Sequence, residues 1–270
     1  MMQKTAEGEV RNMKRAYTDI VEGQMHYRYS GQGQPLVLLH MSGSSSDEFE
    51  QVGDLLSSKF SVYAPDLLGF GGSDAPPRYY SLRDHAETVI RFMDALQIQN
   101  AVIAGNLVGA NIAARMAVEW AERVNGLMLC HLVYDSDYNR FKSKRQLPIF
   151  QKVELSLDGN HLMEYWKRAS QYGEAVEYAD ARALCLHQAG PFGESLHWAL
   201  FEDDDYTEML PRIKAPTVVV ALERIASAVG QPQVAALVAG AKYESIKGGS
   251  AYVARTNPKD FAQIILDYFA

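Results

Sequence analysis

The sequence has little of what marks several large classes of protein. It has only two cysteines, Cys130 and Cys185, in 270 residues, too few for a disulfide framework, which favours a reducing compartment. Its net charge is −7, and no basic stretch offsets this charge, which argues against a nucleic-acid partner. No apolar run is long enough to cross a bilayer, and the first fifteen residues lack the apolar centre of a signal peptide. These absences predict a cytoplasmic protein with neither a membrane nor a nucleic acid as its partner.

Motifs for metals and cofactors are also missing. The histidines His161, His187 and His197 do not have the spacing of metal ligands. The acidic run at 202–205 lacks the pattern of a calcium loop, and the glycines at 69–72 do not form a dinucleotide fingerprint. The sequence therefore predicts no cofactor and no metal. It leaves a small molecule as the expected partner and leaves the oligomeric state open.

What the sequence does contain is an alternation of short apolar runs and helical patterns. Runs such as Leu36–Leu39 and Val124–Cys130 suit strands that are buried on both faces. Helical patterns follow these runs, as a mostly parallel sheet requires. In one long segment charge and aromatic content rise, and apolar residues recur at helical spacing. We therefore predict a core domain formed by residues 1–133 and 207–270, with a helical insert over 134–206.

The most informative stretch is Ala101–Ala113, AVIAGNLVGANIA. Gly105 interrupts an apolar run, Gly109 follows four residues later, and an alanine-rich helical pattern comes next. A strand, a tight turn flanked by glycines and a helix form the plan of a nucleophile elbow, G-x-S-x-G. Glycines flank this turn because its central residue has a strained backbone and crowds its neighbours. The central residue in this chain is Leu107, which cannot act as a nucleophile.

Taken in order, the segments from about Tyr17 onward resemble those of the α/β-hydrolase superfamily. Leu36–Ser45 is similar to the family's strand that ends in His-Gly and the oxyanion loop. Asp66–Asp74, DLLGFGGSD, resembles the D-x-x-G-x-G-x-S motif, and Ala215–Val220 resembles the strand before the catalytic acid. Asn106 is similar to the elbow asparagine of hydrolases that cleave carbon–carbon bonds in ring-opened aromatics. The resemblance implies an α/β-hydrolase fold, with a mostly parallel eight-stranded sheet flanked by helices and the insert as a lid.

The resemblance also implies where a catalytic triad would lie. The nucleophile falls at Leu107, the base at Ala251, and the acid at Arg224 or Ile225 in the segment ALERIA. A triad needs a base to take the hydroxyl proton and a third group to orient that base. Because nucleophile and base are both replaced, we expect no ordinary serine hydrolysis. Apolar residues at these positions predict an apolar pocket between the core and the lid.

The polar loop after the oxyanion strand has two predicted roles. Ser42 is placed to meet a ligand, because its amide falls at an oxyanion-hole position of the family. The serines at 44–46 are predicted to cap a helix over Asp47–Leu56.

Other residues around the vacated triad positions have two interpretations each. The amides of Ser42 and Val108 form an oxyanion hole that either still polarises a carbonyl or is only inherited loop geometry. His40 supports the oxyanion loop or acts as a base, and Asp135 is a relocated acid or a loop residue. Tyr252 donates its hydroxyl to a bound carbonyl or packs against the last helix. The remaining predicted ligand contacts are Met41, Asn106, Trp166 and Ser250.

Three functions remain open from the sequence. The working hypothesis is an enzyme that does without the triad and binds a small apolar molecule containing a carbonyl group. Orientation and electrostatics would then drive a lyase-, isomerase- or cyclase-like reaction. The second hypothesis is a ligand-binding pseudoenzyme or an engineered, emptied hydrolase scaffold. The third is hydrolysis by relocated groups such as His40 or Asp135.

Overall fold

The computed structural model describes residues 13–134, 154, 156–170, 195–202, 206–225 and 230–270. Within these ranges eight strands form one sheet, in the order β1-β2-β4-β3-β5-β6-β7-β8. Pairs β1–β2 and β2–β4 are antiparallel, and all other neighbours are parallel. This sheet confirms the predicted mostly parallel, eight-stranded arrangement. The strands are β1 (Lys14–Ile20), β2 (Gly23–Ser30), β3 (Gln34–Leu39), β4 (Phe60–Pro65), β5 (Ala101–Asn106), β6 (Val124–Cys130), β7 (Thr217–Leu222) and β8 (Lys242–Ile246).

Helices connect the strands. The described α-helices are α1 (Glu50–Leu56), α2 (Leu82–Ala95), α3 (Val108–Glu119), α4 (Asn160–Ser170), α5 (Ser195–Glu202), α6 (Tyr206–Met209), α7 (Gln231–Leu237), α8 (Val253–Thr256) and α9 (Pro258–Phe269). Helix α2 begins at a capping box, in which Ser81 accepts the amide of Asp84 and the Asp84 carboxylate accepts the amide of Ser81. None of the helices in the described part of the chain is both long and apolar enough to span a membrane.

The sheet is buried on both faces, because successive side chains of each central strand point in opposite directions. In β3, Val37 and Leu39 face one apolar cluster, while Leu36 and Leu38 face the other. Helices α2, α3 and α7 contribute to the first cluster, and α1, α8 and α9 contribute to the second. The central parallel strands β3, β5, β6 and β7 therefore carry continuous apolar runs, as the sequence predicts, whereas β8 at the edge of the sheet is mostly polar and exposed.

The insert lies between β6 and β7. Its described residues include the helices α4, α5 and the start of α6, and none of its described residues joins the sheet. The predicted boundaries of the insert, 134 and 206, and its role as a lid stay predictions. One local prediction is wrong: the helix expected over Asp47–Leu56 is divided into a 3-10 turn at Ser46–Phe49 and the helix α1. Ser45 precedes the turn without a side-chain capping bond, because its hydroxyl donates to Asp47 instead.

Candidate functional site

The elbow conformation is present at the turn between β5 and α3. Leu107 lies at its tip with φ 51° and ψ −115°, in a region of backbone space that residues other than glycine seldom adopt. The Leu107 amide donates to the carbonyl of Cys130 at 2.9 Å, and its carbonyl accepts the amides of Ala110 and Asn111. A bulky apolar side chain therefore occupies the position that the elbow presents at the carboxyl edge of the sheet.

The two glycines of the elbow are required by close backbone contacts. A Cβ atom on Gly105 would lie 2.1 Å from the carbonyl oxygen of Gly109, and one on Gly109 would lie 2.1 Å from that of Leu39. Helix α3 thus crosses directly over the ends of β3 and β5. This close crossing brings Leu107 next to the loop that follows β3.

Leu107 belongs to a small group of side chains that we call the apolar corner, formed by Met41, Leu107, Trp166, Ala251 and Tyr252. Leu107, Ala251 and Trp166 of α4 each pack against the buried pair Met41 and Tyr252. Met41 and Tyr252 are 4% and 5% exposed, whereas the other three remain partly exposed. Five residues predicted at the site from three distant segments and the insert therefore meet in one place.

The predicted positions of the acid do not join the apolar corner. Ile225 packs against the second core cluster, beneath the other face of the sheet. The Arg224 amide donates to the carbonyl of Gly249 at 3.0 Å, which ties the loop after β7 to the loop after β8. Ser250 accepts the Tyr252 amide at 3.3 Å, so its hydroxyl shapes the local turn. Asp135, His187 and Cys185 lie outside the described residues.

The two amides predicted for an oxyanion hole belong to the loop after β3 and to the first residue of α3. Ser42 is in the loop after β3 and is 6% exposed. Val108 opens α3 and is 3% exposed, and the first amide of a helix has no intrahelical acceptor. Whether these amides bind an oxygen stays a prediction.

His40 binds backbone groups through both ring nitrogens. The Leu67 amide donates to Nε2 at 3.0 Å, so the proton of the neutral ring lies on Nδ1, which donates to the carbonyl of Met41 at 2.8 Å. The ring is fully buried and lies edge-on to Phe70. In this arrangement His40 joins the oxyanion loop to the loop after β4.

The loop after β4 is organised by the buried carboxylate of Asp66. It accepts the Ser46 amide at 2.6 Å, the Gly72 amide at 2.7 Å and Nδ1 of His26 at 2.8 Å. Burial acts to raise the pKa of Asp66, but these bonds outweigh it and lower the pKa to about 2. Gly71 has φ +56°, and a Cβ atom there would lie 1.9 Å from this carboxylate. Asp66, the first residue of the D-x-x-G-x-G-x-S motif, thus holds the segment after β3 and the loop after β4 together through its charged carboxylate.

A second buried acid, Glu48, was not predicted from the sequence as part of the site. It is 1% exposed and lies directly behind the elbow. Its Oε1 accepts Nδ2 of Asn106 at 2.7 Å, and its Oε2 accepts the Met41 amide at 3.3 Å. Burial raises the pKa of Glu48 to about 7, against the lowering effect of these bonds, of Ser44 and of the Arg255 charge.

His131 is a further buried group at this edge of the sheet. It follows β6 with φ 55°, and its Nδ1 accepts the Leu222 amide at 3.1 Å. Burial lowers its pKa to about 4, so the ring is neutral at pH 7. His131 thereby ties β6 to β7 at the edge where the elbow lies. Among the described residues, no three histidine, cysteine or acidic side chains are grouped so that they could hold a metal.

Comparison with known proteins identifies the family. Residues 34–254 match the family described as alpha/beta hydrolase fold, and the chain belongs to this family. The match begins at β3 and ends in α8, so it includes the elbow, the loop after β4 and the insert.

Individual relatives share shorter stretches with the chain. It is 34% identical to haloalkane dehalogenase 2 of Mycobacterium tuberculosis over 112 residues, which are 41% of this chain and 39% of that protein. It is 40% identical to 2-hydroxymuconate semialdehyde hydrolase of Pseudomonas putida over 102 residues, 37% of this chain and 36% of that protein. The chain therefore spans little more than a third of the length of these curated relatives.

Solved structures resemble the whole chain. The thermophilic esterase from Thermogutta terrifontis has a TM-score of 0.79 at 21% identity, and the alignment covers 94% of this chain and 97% of that chain. The enol-lactonase from Burkholderia xenovorans has a TM-score of 0.74 at 20% identity and covers 94% and 99%. These likenesses establish a shared fold.

Proposed function

We propose that this α/β-hydrolase-fold protein binds a small, mostly apolar molecule with a carbonyl group in the apolar corner. The carbonyl oxygen points to the amides of Ser42 and Val108, and the apolar part rests against Leu107 and Ala251. Any reaction at this site proceeds without a hydrolase triad and is lyase-, isomerase- or cyclase-like, because orientation and polarisation are what the site has to offer.

The observation that carries this proposal is the contrast between backbone and side chain at Leu107. The backbone keeps the strained elbow form, with φ 51°, although its side chain has no nucleophilic atom. The side chain instead joins Ala251 and Trp166 against one buried apolar pair. Their partial exposure leaves apolar surface for a ligand, and such surface with a few polar groups suits a small molecule.

One relative supports the carbonyl part of the proposal. It is named as a hydrolase of 2-hydroxymuconate semialdehyde, and a semialdehyde carries a carbonyl group. The similar segment covers 37% of this chain, and it supports a carbonyl compound as the chemical class of the ligand.

Two alternative functions differ from this proposal in their chemistry. A pseudoenzyme or emptied scaffold binds the same kind of ligand without turnover. A hydrolase with relocated groups needs a base other than the residue at 251. His40 is less suited to this task because both of its ring nitrogens bind backbone groups.

The test uses acetophenone and ethylbenzene, which differ by a carbonyl in place of a methylene. We expect acetophenone to raise the Tm clearly more than ethylbenzene does. Ala251→Phe, which fills the apolar corner, should abolish the shift, whereas Ala236→Phe, on the exposed face of α7, should not. Equal shifts for the two compounds would refute the carbonyl interaction, and no shift with either would refute the apolar site.

A second measurement separates the chemical alternatives. A fluorophosphonate probe read by intact mass should leave the wild-type protein unlabelled, because Leu107 offers no hydroxyl. Labelling of any serine would favour the relocated hydrolase. Conversion of bound carbonyl compounds, followed by proton NMR, distinguishes an enzyme from a pseudoenzyme.

A further inference from the structure

Glu48 lies at the junction of three loops that surround the apolar corner. Its carboxyl accepts the amide of Met41 from the oxyanion loop and the side-chain amide of Asn106 from the elbow. Asn106 also donates from Nδ2 to the carbonyl of Ala251 at 2.9 Å. The side-chain amide of Asn106 thus joins Glu48, which lies 58 positions away in the chain, to Ala251, which lies 145 positions away.

The orientation of the Asn106 amide follows from its neighbours. Its NH₂ group has two hydrogens to donate, and two oxygen acceptors lie at 2.7 and 2.9 Å. The flipped amide would place Oδ1 against both oxygens, so the observed orientation is the one that avoids this repulsion. Asn106 therefore transmits the position of Glu48 to the loop that carries Ala251.

We propose that Glu48 is a positioning residue that couples the oxyanion loop, the elbow and the Ala251 loop, and that proton uptake by its carboxyl rearranges the apolar corner. For its effect on a ligand this inference rests on the proposed function; its effect on the loops does not. The ionised carboxylate accepts both the Met41 and the Asn106 bonds strongly, because hydrogen bonds to a charged acceptor are stronger than neutral ones. The protonated acid has less acceptor strength for the same two donors.

The surroundings of the carboxyl favour a change of charge near neutral pH. Burial is the largest influence and raises the pKa of Glu48 to about 7, while the positive charge of Arg255 from α8 opposes it. Arg255 is itself paired with Asp47 at 3.1 Å. The Cys130 thiol from β6 interacts electrostatically with Glu48. Burial raises the pKa of this thiol well above the usual range, so the thiol stays neutral.

The test follows backbone and side-chain amides of the unliganded protein by ¹H–¹⁵N NMR from pH 5.5 to 8.5. The Met41 amide and the Asn106 side-chain amide should move downfield as the pH rises, with one common midpoint. The amides of Ala251 and Tyr252 should follow the same midpoint, because Asn106 couples their loop to Glu48. Glu48→Gln should abolish this transition, and Glu48→Asp should restore a transition with a different midpoint.

Glu50→Gln is the matched control, because it removes a nearby carboxylate that pairs with Arg28 on β2. It should leave the transition unchanged. A transition that persists in Glu48→Gln, or that appears in one loop only, would overturn the proposal. If Glu48 acted only locally, the Met41 and Asn106 amides would titrate and those of Ala251 and Tyr252 would not, which would also contradict the coupling.

Binding of acetophenone adds a second readout. The Kd of the wild-type protein should be at least threefold lower at pH 8 than at pH 6, and the Kd of Glu48→Gln should not change. If acetophenone does not bind at all, the proposed function fails, while the amide titration still decides the role of Glu48. If it binds with a pH-independent Kd, the proposed function stands and the coupling to the ligand is refuted.

Discussion

Two neighbouring regions hold the oxyanion loop, and each contains one buried carboxyl group. On one side, Asp66 accepts three short hydrogen bonds, and its pKa is lowered to about 2. On the other side, Glu48 behind the apolar corner accepts two amide bonds, and burial raises its pKa to about 7. Ser44 adds a third bond to Glu48, so the two carboxyls do not differ in the number of their donors. They differ in the strength of the bonds, which are all 2.8 Å or shorter at Asp66 but reach 3.3 Å at Glu48, while burial opposes the charge in both cases.

The two regions also differ in the residues that they present at this edge of the sheet. The Asp66 region has a permanent charge, and its carboxylate holds the Ser46 and Gly72 amides in place. The apolar corner has the backbone of the elbow, with leucine and alanine at the two positions where the resemblance predicts nucleophile and base. We expect scaffold and chemistry to be separable in this chain, because function depends on the site more than on the fold.

Removing the fixed charge should have the largest effect on stability. Asp66→Asn leaves three donors facing a group that is partly a donor itself, so we expect a loss of about 3–5 kcal/mol at pH 7. The folded-state pKa is depressed, so this contribution is present above the ordinary pKa of 3.8 and is lost as the pH falls towards 2. Urea unfolding of the wild type and of Asp66→Asn at several pH values measures the loss at pH 7 and its decrease at low pH. Glu122→Gln, an exposed control, should lie within experimental error of wild type.

Rebuilding a triad in the apolar corner should have the next largest effect. Leu107→Ser alone should stay near the background rate with p-nitrophenyl acetate, because no base takes its proton. Adding Ala251→His should raise the rate by about 10²–10³-fold, a usual contribution of general base catalysis. Ile225→Asp should add less, since Ile225 packs into the second core cluster.

The double variant also gives a direct readout of the corner's geometry. A fluorophosphonate probe should label the new serine, as intact mass will show. A folded double variant with neither turnover nor label would mean that positions 107 and 251 do not face each other as a nucleophile and a base must.

Titration of Glu48 should change stability with a sign opposite to that of Asp66. Its folded-state pKa is raised from 4.5 to about 7, so the folded state binds the extra proton and stability falls as the pH rises through this window. The free energy of unfolding of wild type relative to Glu48→Gln should fall by about 2–3 kcal/mol between pH 4.5 and 8. The difference between wild type and Glu48→Gln removes the contributions of His131 and His85 to the pH dependence, because these are the same in both proteins. Their lowered pKa values make stability rise with pH, which is the opposite direction. A flat difference would contradict the assigned environment of Glu48.

The smallest expected effect concerns strain at the elbow. Leu107→Ala and Leu107→Gly both remove most of the apolar contacts, but only glycine adopts φ 51° without strain. We expect the glycine variant to be about 1 kcal/mol more stable than the alanine variant. Thermal unfolding of the two variants side by side measures this. Equal stabilities would show that the turn relaxes when the leucine side chain is removed.

Much of the fold was predictable, because continuous apolar strands, the capping box at Ser81 and the glycine-flanked turn are local signals. That Leu107 and Ala251 pack against the same buried pair was expected from the resemblance to the family; whether they face each other stays a prediction. Glu48 was not predictable, because the local pattern predicts a helix over Asp47–Leu56 and gives no sign that one of its acidic residues is buried. Its partner Asn106 lies 58 residues away, and no local pattern indicates that pairing. Only the folded arrangement shows that this acid is buried behind the elbow.

The most direct test of the account is a crystal structure of the protein with bound acetophenone. We expect the carbonyl oxygen within hydrogen-bonding distance of the Ser42 and Val108 amides, and the ring in contact with Leu107, Ala251 and Trp166. A ligand bound elsewhere, or bound in the apolar corner with its carbonyl directed away from both amides, would contradict the proposed function.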